Sequence, residues 1–163
     1  MLQPLYTSVL VPQTVAGELQ QADMPDAVRT WIAQPPDWCE IRPDPPSDPA
    51  LQFLDPGERA AITLALSLDA DRLLIDEWER RAEAERPHLF VTGTLGILAE
   101  AHQQGLLDFE AALTRLRQTN FYMSAALVNR VRQRLSTGRG EAWIVGRELR
   151  RISLVVNSDT GSL

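Results

Sequence analysis

Three carboxylates stand at the two ends of one stretch, Leu54 to Glu77, which reads LDPGERAAITLALSLDADRLLIDE. Glu58 falls near the start of a predicted helix, whereas Asp76 and Glu77 follow a short apolar run at residues 72–75. An apolar run without alternation is typical of a parallel strand that is covered on both faces. Ligands bind beyond the carboxyl ends of such strands, so the three carboxylates are candidates for one shared site.

Clustered carboxylates are suited to binding Mg²⁺ or Mn²⁺. Mg²⁺ prefers octahedral oxygen coordination and keeps several waters, so two or three carboxylates and substrate phosphate oxygens suffice. Carboxylates that crowd together repel each other, and a cluster of them is therefore primed to bind a cation. The chemistry that follows is polarisation of a scissile phosphate and activation of a bound water at neutral pH.

Each of these residues also has a purely structural interpretation. Asp55 is a good N-cap, and Glu58 falls three residues later, where a capping-box partner reaches back to the cap. Asp76 is also suited to cap a helix that begins near Trp78, and Glu77 is suited to an exposed first turn. The residues alone leave both interpretations open.

The elements that must position these residues alternate between strand and helix. Strands are predicted at residues 8–11, 39–42, 72–75, 89–91 and 152–156. Helices are predicted at residues 14–20, 26–33, 56–68, 78–86, 95–104, 109–118 and 124–135, with a short helix as one interpretation of 141–150. Asp108 and Ser124 are predicted to cap the helices at 109–118 and 124–135. This alternation predicts an α/β fold with a parallel sheet between helices, and 39–42 as a short edge strand. Residues 43–49 (PDPPSDP) can hold neither a helix nor a central strand and form a surface connection.

Composition places the 163 residues in one globular domain. No apolar run approaches the length of a membrane span and no charged leader opens the chain, so we expect a cytoplasmic protein without membrane contact. The single cysteine, Cys39, agrees with a reducing compartment. Residues 1–114 carry 7 Arg and 19 acidic residues, whereas residues 115–163 carry 9 Arg and 3 acidic residues. The net charge of −6 argues against a general nucleic-acid coat protein. The uneven distribution of charge permits an acidic metal site beside a basic segment, because the local field is what attracts a polyanion.

The segments LDPGERAAITLAL, LLIDE and VTGTLGIL resemble a PIN-like family of bacterial and archaeal proteins, similar to the toxin ribonucleases of toxin–antitoxin pairs. The resemblance covers residues 1–135. It implies a five-stranded, three-layer α/β/α PIN-like sheet and Mg²⁺- or Mn²⁺-dependent cleavage of single-stranded RNA by clustered carboxylates. An antitoxin-like protein is the partner that it implies. The family's acidic positions fall on four residues of this chain, Glu18, Glu58, Asp76 and Glu77.

The chain departs from this family at its beginning. Such proteins open with a strand and a short acidic turn, in a form like VVSDTSPL, whereas Met1 to Leu5 already resembles the end of the helix that follows it. Residues 154–163 read LVVNSDTGSL and resemble the missing opening. We therefore predict a circular permutation that returns a metal ligand from the terminal segment, Asp159 or alternatively Asn157.

This prediction divides the chain into a PIN-like core at 1–135, a linker or short helix at 136–151, and a terminal strand at 152–163 that completes the sheet. In one alternative, the strand is exchanged with a second molecule and produces a homodimer with composite sites. In the other, the tail is disordered and the protein is a decayed relative. Loss of a central strand would expose two rows of unpaired backbone groups, which favours the first two.

Four residues that are not carboxylates are proposed to contact RNA. The hydroxyls of Thr92 and Thr94 are placed to touch a substrate phosphate, although both also suit a turn and a helix cap. Arg130 and Arg134 share a helix face, which predicts phosphate contacts, a solvated basic face or a pairing surface for an acidic partner. The leading hypothesis is a toxin-like, metal-dependent endoribonuclease. Its alternatives are an inactive PIN-like module that binds RNA or protein, and a strand-swapped structural dimer.

Overall fold

The computed structural model describes residues 2–76, 89–119, 121–137 and 151–154. These residues fall into two compact units, one made of residues 2–93 with the terminal strand and the other made of residues from 94 to 137. The helices predicted at 78–86 and 141–150 lie outside the described residues. In the part of the chain that is described, no helix is both long and apolar enough to cross a membrane.

The first unit is built on a parallel sheet of the α/β class. Its described strands are β1 (Ser8–Pro12), β2 (Cys39–Arg42), β3 (Arg72–Leu74), β4 (Phe90–Thr92) and β5 (Arg151–Leu154). The strand order is β2-β1-β5-β3-β4, and every pairing is parallel. The predicted α/β class and the edge position of residues 39–42 are therefore confirmed.

The strand from the end of the chain lies in the middle of this sheet. On one side of β5, Ile152 is opposite Val9, and on the other side Ser153 is opposite Leu73. β5 thus pairs with β1 and β3 of its own chain. Residues 155–163 lie outside the described residues, and both circular permutation and strand exchange stay predictions.

Helix α4 (Pro56–Ser67) packs against β1, β3 and β5. Its buried face carries Ala61, Ile62 and Ala65, which join the side chains of Leu73 and Ile75 in one apolar cluster. Burial of this face is the main contribution that the helix makes to the stability of the unit. The remaining helices of this unit are α1 (Leu2–Leu5), α2 (Gln13–Glu18) and α3 (Asp26–Ala33), with a 3₁₀ turn at Pro49–Leu51.

A buried cation stands at the start of β3. The side chain of Arg72 is 2% exposed, its Nη1 donates to the hydroxyl of Tyr6 at 2.9 Å, and its guanidinium lies 5.6 Å from the centre of the Tyr6 ring. A charge removed from water needs such partners, because burial alone would cost several kcal/mol. This contact joins the beginning of the chain to the middle of the sheet.

The second unit is helical and consists of α5 (Thr94–Gln103), α6 (Phe109–Leu116) and α7 (Ala125–Ser136). Asp108 accepts a hydrogen bond from the Ala111 N–H at 2.8 Å, and Ser124 accepts one from the Leu127 N–H at 3.2 Å. Both predicted helix caps are therefore confirmed. The core of this unit is an apolar cluster that includes Leu95, Leu98, Ala99, Phe109, Leu113 and Val128.

Candidate carboxylate site

The strands of a parallel sheet all end at the same edge. At this edge, each of the strands β1 to β4 is followed by a segment that carries a carboxylate or a glycine of the candidate site. α2, which ends at Glu18, follows β1, and the connection with Asp44 follows β2. Asp76 follows β3, and Gly93 follows β4. β5 ends at this same edge, since it is parallel to its two neighbours. The topology therefore brings these segments to the side of the sheet where ligands bind in α/β folds.

Glu18 lies over the first turn of α4. Its carboxylate accepts a hydrogen bond from the backbone N–H of Gly57. A Cβ atom added to Gly57 would lie 2.4 Å from Glu18 Oε2 and 2.8 Å from Oε1. A residue with a side chain at position 57 would thus collide with the carboxylate. Gly57 allows Glu18 to reach the end of a helix whose first N–H groups have no partner within the helix.

The environment of Glu18 is acidic. Burial raises the pKa of its carboxyl group above the ordinary value, the hydrogen bond from Gly57 opposes this, and the charges of Asp55 and Asp44 raise the pKa further. Asp44 is held by Thr14, whose backbone N–H and hydroxyl both donate to its carboxylate, at 3.2 and 2.5 Å to Oδ2. We call Glu18, Asp44 and Asp55 the Glu18 cluster. The charges of Asp55 and Asp44 thus favour the uptake of a proton or a cation at Glu18.

Glu58 helps to cap the N-terminus of its own helix, α4. It is 3% exposed and forms a capping box with Asp55, in which the Asp55 N–H donates to Glu58 Oε2 at 3.2 Å. This is the structural interpretation that the sequence offered, and it fixes the first turn of α4 on which Glu18 rests. A catalytic role for Glu58 stays a prediction.

Asp76 lies against the backbone that follows β4. A Cβ atom added to Gly93 would lie 2.9 Å from Asp76 Oδ1. The Ile75 N–H donates to the Thr92 carbonyl at 2.8 Å, which continues the pairing of the two strands up to this point. Thr92 is buried, and its hydroxyl is 3.4 Å from the carbonyl oxygen of Gly93. A second glycine therefore permits a second carboxylate to approach the backbone at the strand ends.

The other predicted site residues are distributed differently. Glu77 and Asp159 lie outside the described residues. Thr94 is the first residue of α5, and Arg130 and Arg134 are exposed on α7, so all three belong to the helical unit. Sequence reasoning missed Asp44 and underestimated Asp55. The available signal for Asp44 was its position in the connection after β2, at the edge where the other carboxylates were expected.

The carboxylates at this edge of the sheet offer oxygen donors, which are the ligands that Mg²⁺ and Mn²⁺ prefer. However, within the described ranges no three His, Cys, Asp or Glu side chains are grouped closely enough to hold a metal ion. The Glu18 cluster and Asp76 thus have suitable donor atoms but do not form a complete site by themselves. Further ligands must come from residues beyond the described ranges or from substrate phosphate.

The contact between Gly57 and Glu18 gives a direct structural prediction. Gly57→Ala places a methyl group on the carboxylate, so we expect Glu18 to leave the α4 turn and its carboxyl ¹³C resonance to shift. Gly17→Ala is the matched control, because an added Cβ there meets nothing within 4 Å. Both variants should fold, since Ala is favoured over Gly in a helix by about 0.5–1 kcal/mol. An unchanged Glu18 resonance in Gly57→Ala would contradict the close contact between position 57 and the Glu18 carboxylate.

Comparison with known proteins gives one family. A family model described as a PIN domain, DUF3368, matches residues 1–137. No curated protein and no solved structure gives a significant match. The PIN domain is a nuclease-type fold, and PIN domains generally use divalent metal ions.

Proposed function

Because the chain belongs to the PIN domain family, we propose that it is a metal-dependent endoribonuclease that cleaves single-stranded RNA. The observation that supports this activity most strongly is the placement of the Glu18 carboxylate over the first turn of α4, where Gly57 leaves room for it and where the charges of Asp55 and Asp44 act on it. A cation near Glu18 would relieve this repulsion. Asp76 stands at the same edge, after β3.

Among the described residues, Glu18, Glu58 and Asp76 would hold Mg²⁺ or Mn²⁺, and Glu77 and Asp159 would complete the set. A metal ion held there would supply Lewis-acid chemistry: it would polarise the scissile phosphate and lower the pKa of a water molecule, so that a nucleophile would be available at neutral pH. The chain's contribution is to keep the carboxylates at the strand ends before substrate arrives. This arrangement reduces the reorganisation that the reaction requires.

Several backbone and side-chain groups would act as positioning residues. The Gly57 N–H holds Glu18, and the capping box of Asp55 and Glu58 fixes the turn that carries this N–H. Thr14 holds Asp44 through its N–H and hydroxyl. For the substrate, we keep Thr92, Thr94, Arg130 and Arg134 as proposed phosphate contacts.

A second candidate is a PIN-like module that binds RNA or protein without cleaving it. Two observations favour it: the described residues do not by themselves contain a metal-binding group, and a Glu58 carboxylate oxygen is used in the capping box. The toxin-like role, the antitoxin-like partner and the homodimer stay predictions.

Cleavage in the presence and absence of metal tests the proposal. We expect the purified protein with Mn²⁺ to cut end-labelled single-stranded RNA, and EDTA to abolish the cut. Calorimetric titration with Mn²⁺ should release or absorb measurable heat. Reactions with Mn²⁺ but without protein serve as the control. Absence of both heat and cleavage would support the non-enzymatic module instead.

A further inference from the structure

Helix α2, which ends at Glu18, has no cap from its own N-cap residue. The helix comprises six residues, Gln13–Glu18, and the residue before it is Pro12, whose side chain makes no capping hydrogen bond. The first backbone N–H groups of a helix have no partner within it, and a helix this short is marginal in isolation. The position of α2 therefore depends on groups that come from elsewhere in the chain.

Asp44 supplies the missing acceptor from the connection that follows β2. The Thr14 N–H donates to both carboxylate oxygens of Asp44 at 3.2 Å, and the Thr14 hydroxyl donates to Oδ2 at 2.5 Å. Thr14 is the second residue of α2, and the N–H at this position is one that an N-cap side chain normally binds. Asp44 thus acts as an N-cap for α2, although thirty positions in the sequence separate it from Thr14.

The connection that carries Asp44 has little conformational freedom. Asp44 lies between Pro43 and Pro45. Proline fixes its own φ angle, and a residue that precedes proline is confined to extended conformations. The strand before this connection, β2, pairs with β1, which leads directly into α2. Both partners of the contact therefore start from neighbouring strands, and little chain entropy is lost when the contact forms.

The effect of this cap reaches the other end of α2. Glu18 is the last residue of the helix, and its carboxylate accepts the hydrogen bond from the Gly57 N–H. Because α2 packs against α4, β1 and β2, fixing its first turn fixes the direction in which Glu18 leaves its last turn. The space beside Gly57 is narrow, since an added Cβ would lie 2.4 Å from Glu18 Oε2. A small shift at Thr14 would thus move the carboxylate out of this space.

We propose that Asp44 is a positioning residue, which caps α2 through Thr14 and thereby holds the Glu18 carboxylate on the first turn of α4. The proposal rests on the proposed function in that Glu18 is a proposed metal ligand. Asp44 is not among the acidic positions that the family resemblance implies. The cap acts through its acceptor oxygens, so a neutral acceptor of the same size should replace it, because Asn and Asp are equally good N-caps.

Solvent exchange of the Gly57 amide proton, followed by NMR in the full chain without metal or RNA, tests the proposal. Asp44→Ala should raise the exchange rate on the order of tenfold, because Glu18 no longer accepts this proton firmly. Asp44→Asn should keep the wild-type rate. Asp37→Ala is the matched control and should also keep it, because Asp37 is an exposed carboxylate that precedes β2 as Asp44 follows it. The Leu73 amide, in the middle of the sheet, reports global opening and should exchange equally in all four proteins.

A second variant covers the case that Asp44→Ala fails to fold. Thr14→Val removes the hydroxyl donor but keeps the Thr14 N–H, so it should raise the Gly57 exchange rate by less than Asp44→Ala. Thr14→Ser keeps both donors and should restore the wild-type rate. Equal exchange of Gly57 in Thr14→Val and Thr14→Ser would contradict a cap that depends on the hydroxyl.

Metal binding gives a readout that a merely structural role would not move. In calorimetric titrations with Mn²⁺ alone, Asp44→Ala should weaken binding about tenfold, whereas Asp44→Asn should bind like the wild type. In RNA cleavage, Asp44→Ala should require more Mn²⁺ for half-maximal rate but reach nearly the wild-type rate at saturation, because every proposed ligand is still present.

The outcomes separate this proposal from the nuclease activity. If Asp44→Asn is as impaired as Asp44→Ala, the charge of Asp44 acts directly and the capping role is wrong. If Gly57 exchanges equally in the wild type and Asp44→Ala, the proposal is overturned, and Mn²⁺-dependent cleavage by the wild type would leave the nuclease standing. If the exchange depends on Asp44 as expected but the wild type neither binds Mn²⁺ nor cuts RNA, the positioning role stands and the nuclease is wrong.

Discussion

A chain shortened to residues 1–137 should fail to form a stable monomer. It retains every residue that the PIN family model matches, yet it lacks β5, which lies between β1 and β3. Without β5, the facing edges of β1 and β3 lose their backbone partners in the interior of the sheet, and α4 loses part of the surface on which it packs. Unpaired backbone groups at such a place are costly and favour aggregation. Circular dichroism and light scattering measure the outcome.

A longer truncation is the control. Residues 1–155 keep β5 but omit Asn157 and Asp159, so this chain should fold and unfold cooperatively in urea. If Asp159 is a metal ligand, the same chain should no longer cleave RNA with Mn²⁺. A soluble, natively folded monomer of residues 1–137 would show that the terminal strand is dispensable. It would also remove the physical reason for placing a ligand on the segment that follows.

Much of the fold could be predicted from local patterns in the sequence. Asp108 and Ser124 marked helix starts because short polar side chains accept hydrogen bonds from the first turn, and both do so. The β-branched run near Ile152 indicated a strand, and β5 occupies 151–154. Helical spacing is a less reliable guide to burial: it places Leu66 on the same face as Ile62 and Ala65, yet Leu66 is 38% exposed whereas the other two are buried.

The composition of the site was harder to predict, for a physical reason. Spacing shows which residues share a helix face, but it does not show how a proline-rich connection such as residues 43–49 passes over the sheet. The approach of Asp44 to Glu18 depends on that path. The partners of Arg72 were hidden in the same way, since Tyr6 lies far away in sequence and meets it only through the fold. The importance of Gly57 and Gly93 could not be predicted from the sequence, because it depends on the carboxylates that the fold brings against them.

Stability gives a first way to recognise a carboxylate that is kept for function. The pKa of Glu18 is raised in the folded protein, so its ionised form disfavours folding at neutral pH. Below the pKa of the unfolded carboxyl group, both states are protonated and the penalty is absent. It develops as pH rises above that value and is complete once pH exceeds the raised pKa of the folded state. In EDTA at pH 7, Glu18→Gln should therefore be at least as stable as the wild type. Near pH 3, this gain should disappear.

Removal of a site carboxylate should lower RNA cleavage even where it leaves stability unchanged or raises it. Glu18→Gln and Asp76→Asn keep the size of each side chain but remove its charge, so each should lower Mn²⁺-dependent cleavage by about 100-fold or more. Together they should cost little more than either alone, because residues that hold one metal act as a unit. Asp23→Asn, an exposed carboxylate outside the Glu18 cluster, is the control and should leave the rate unchanged. Wild-type rates in both site variants would exclude these residues as metal ligands. A stable Glu18→Gln protein that has lost only its cleavage would show that the Glu18 carboxylate is kept for function although its burial and the charges of Asp55 and Asp44 disfavour it.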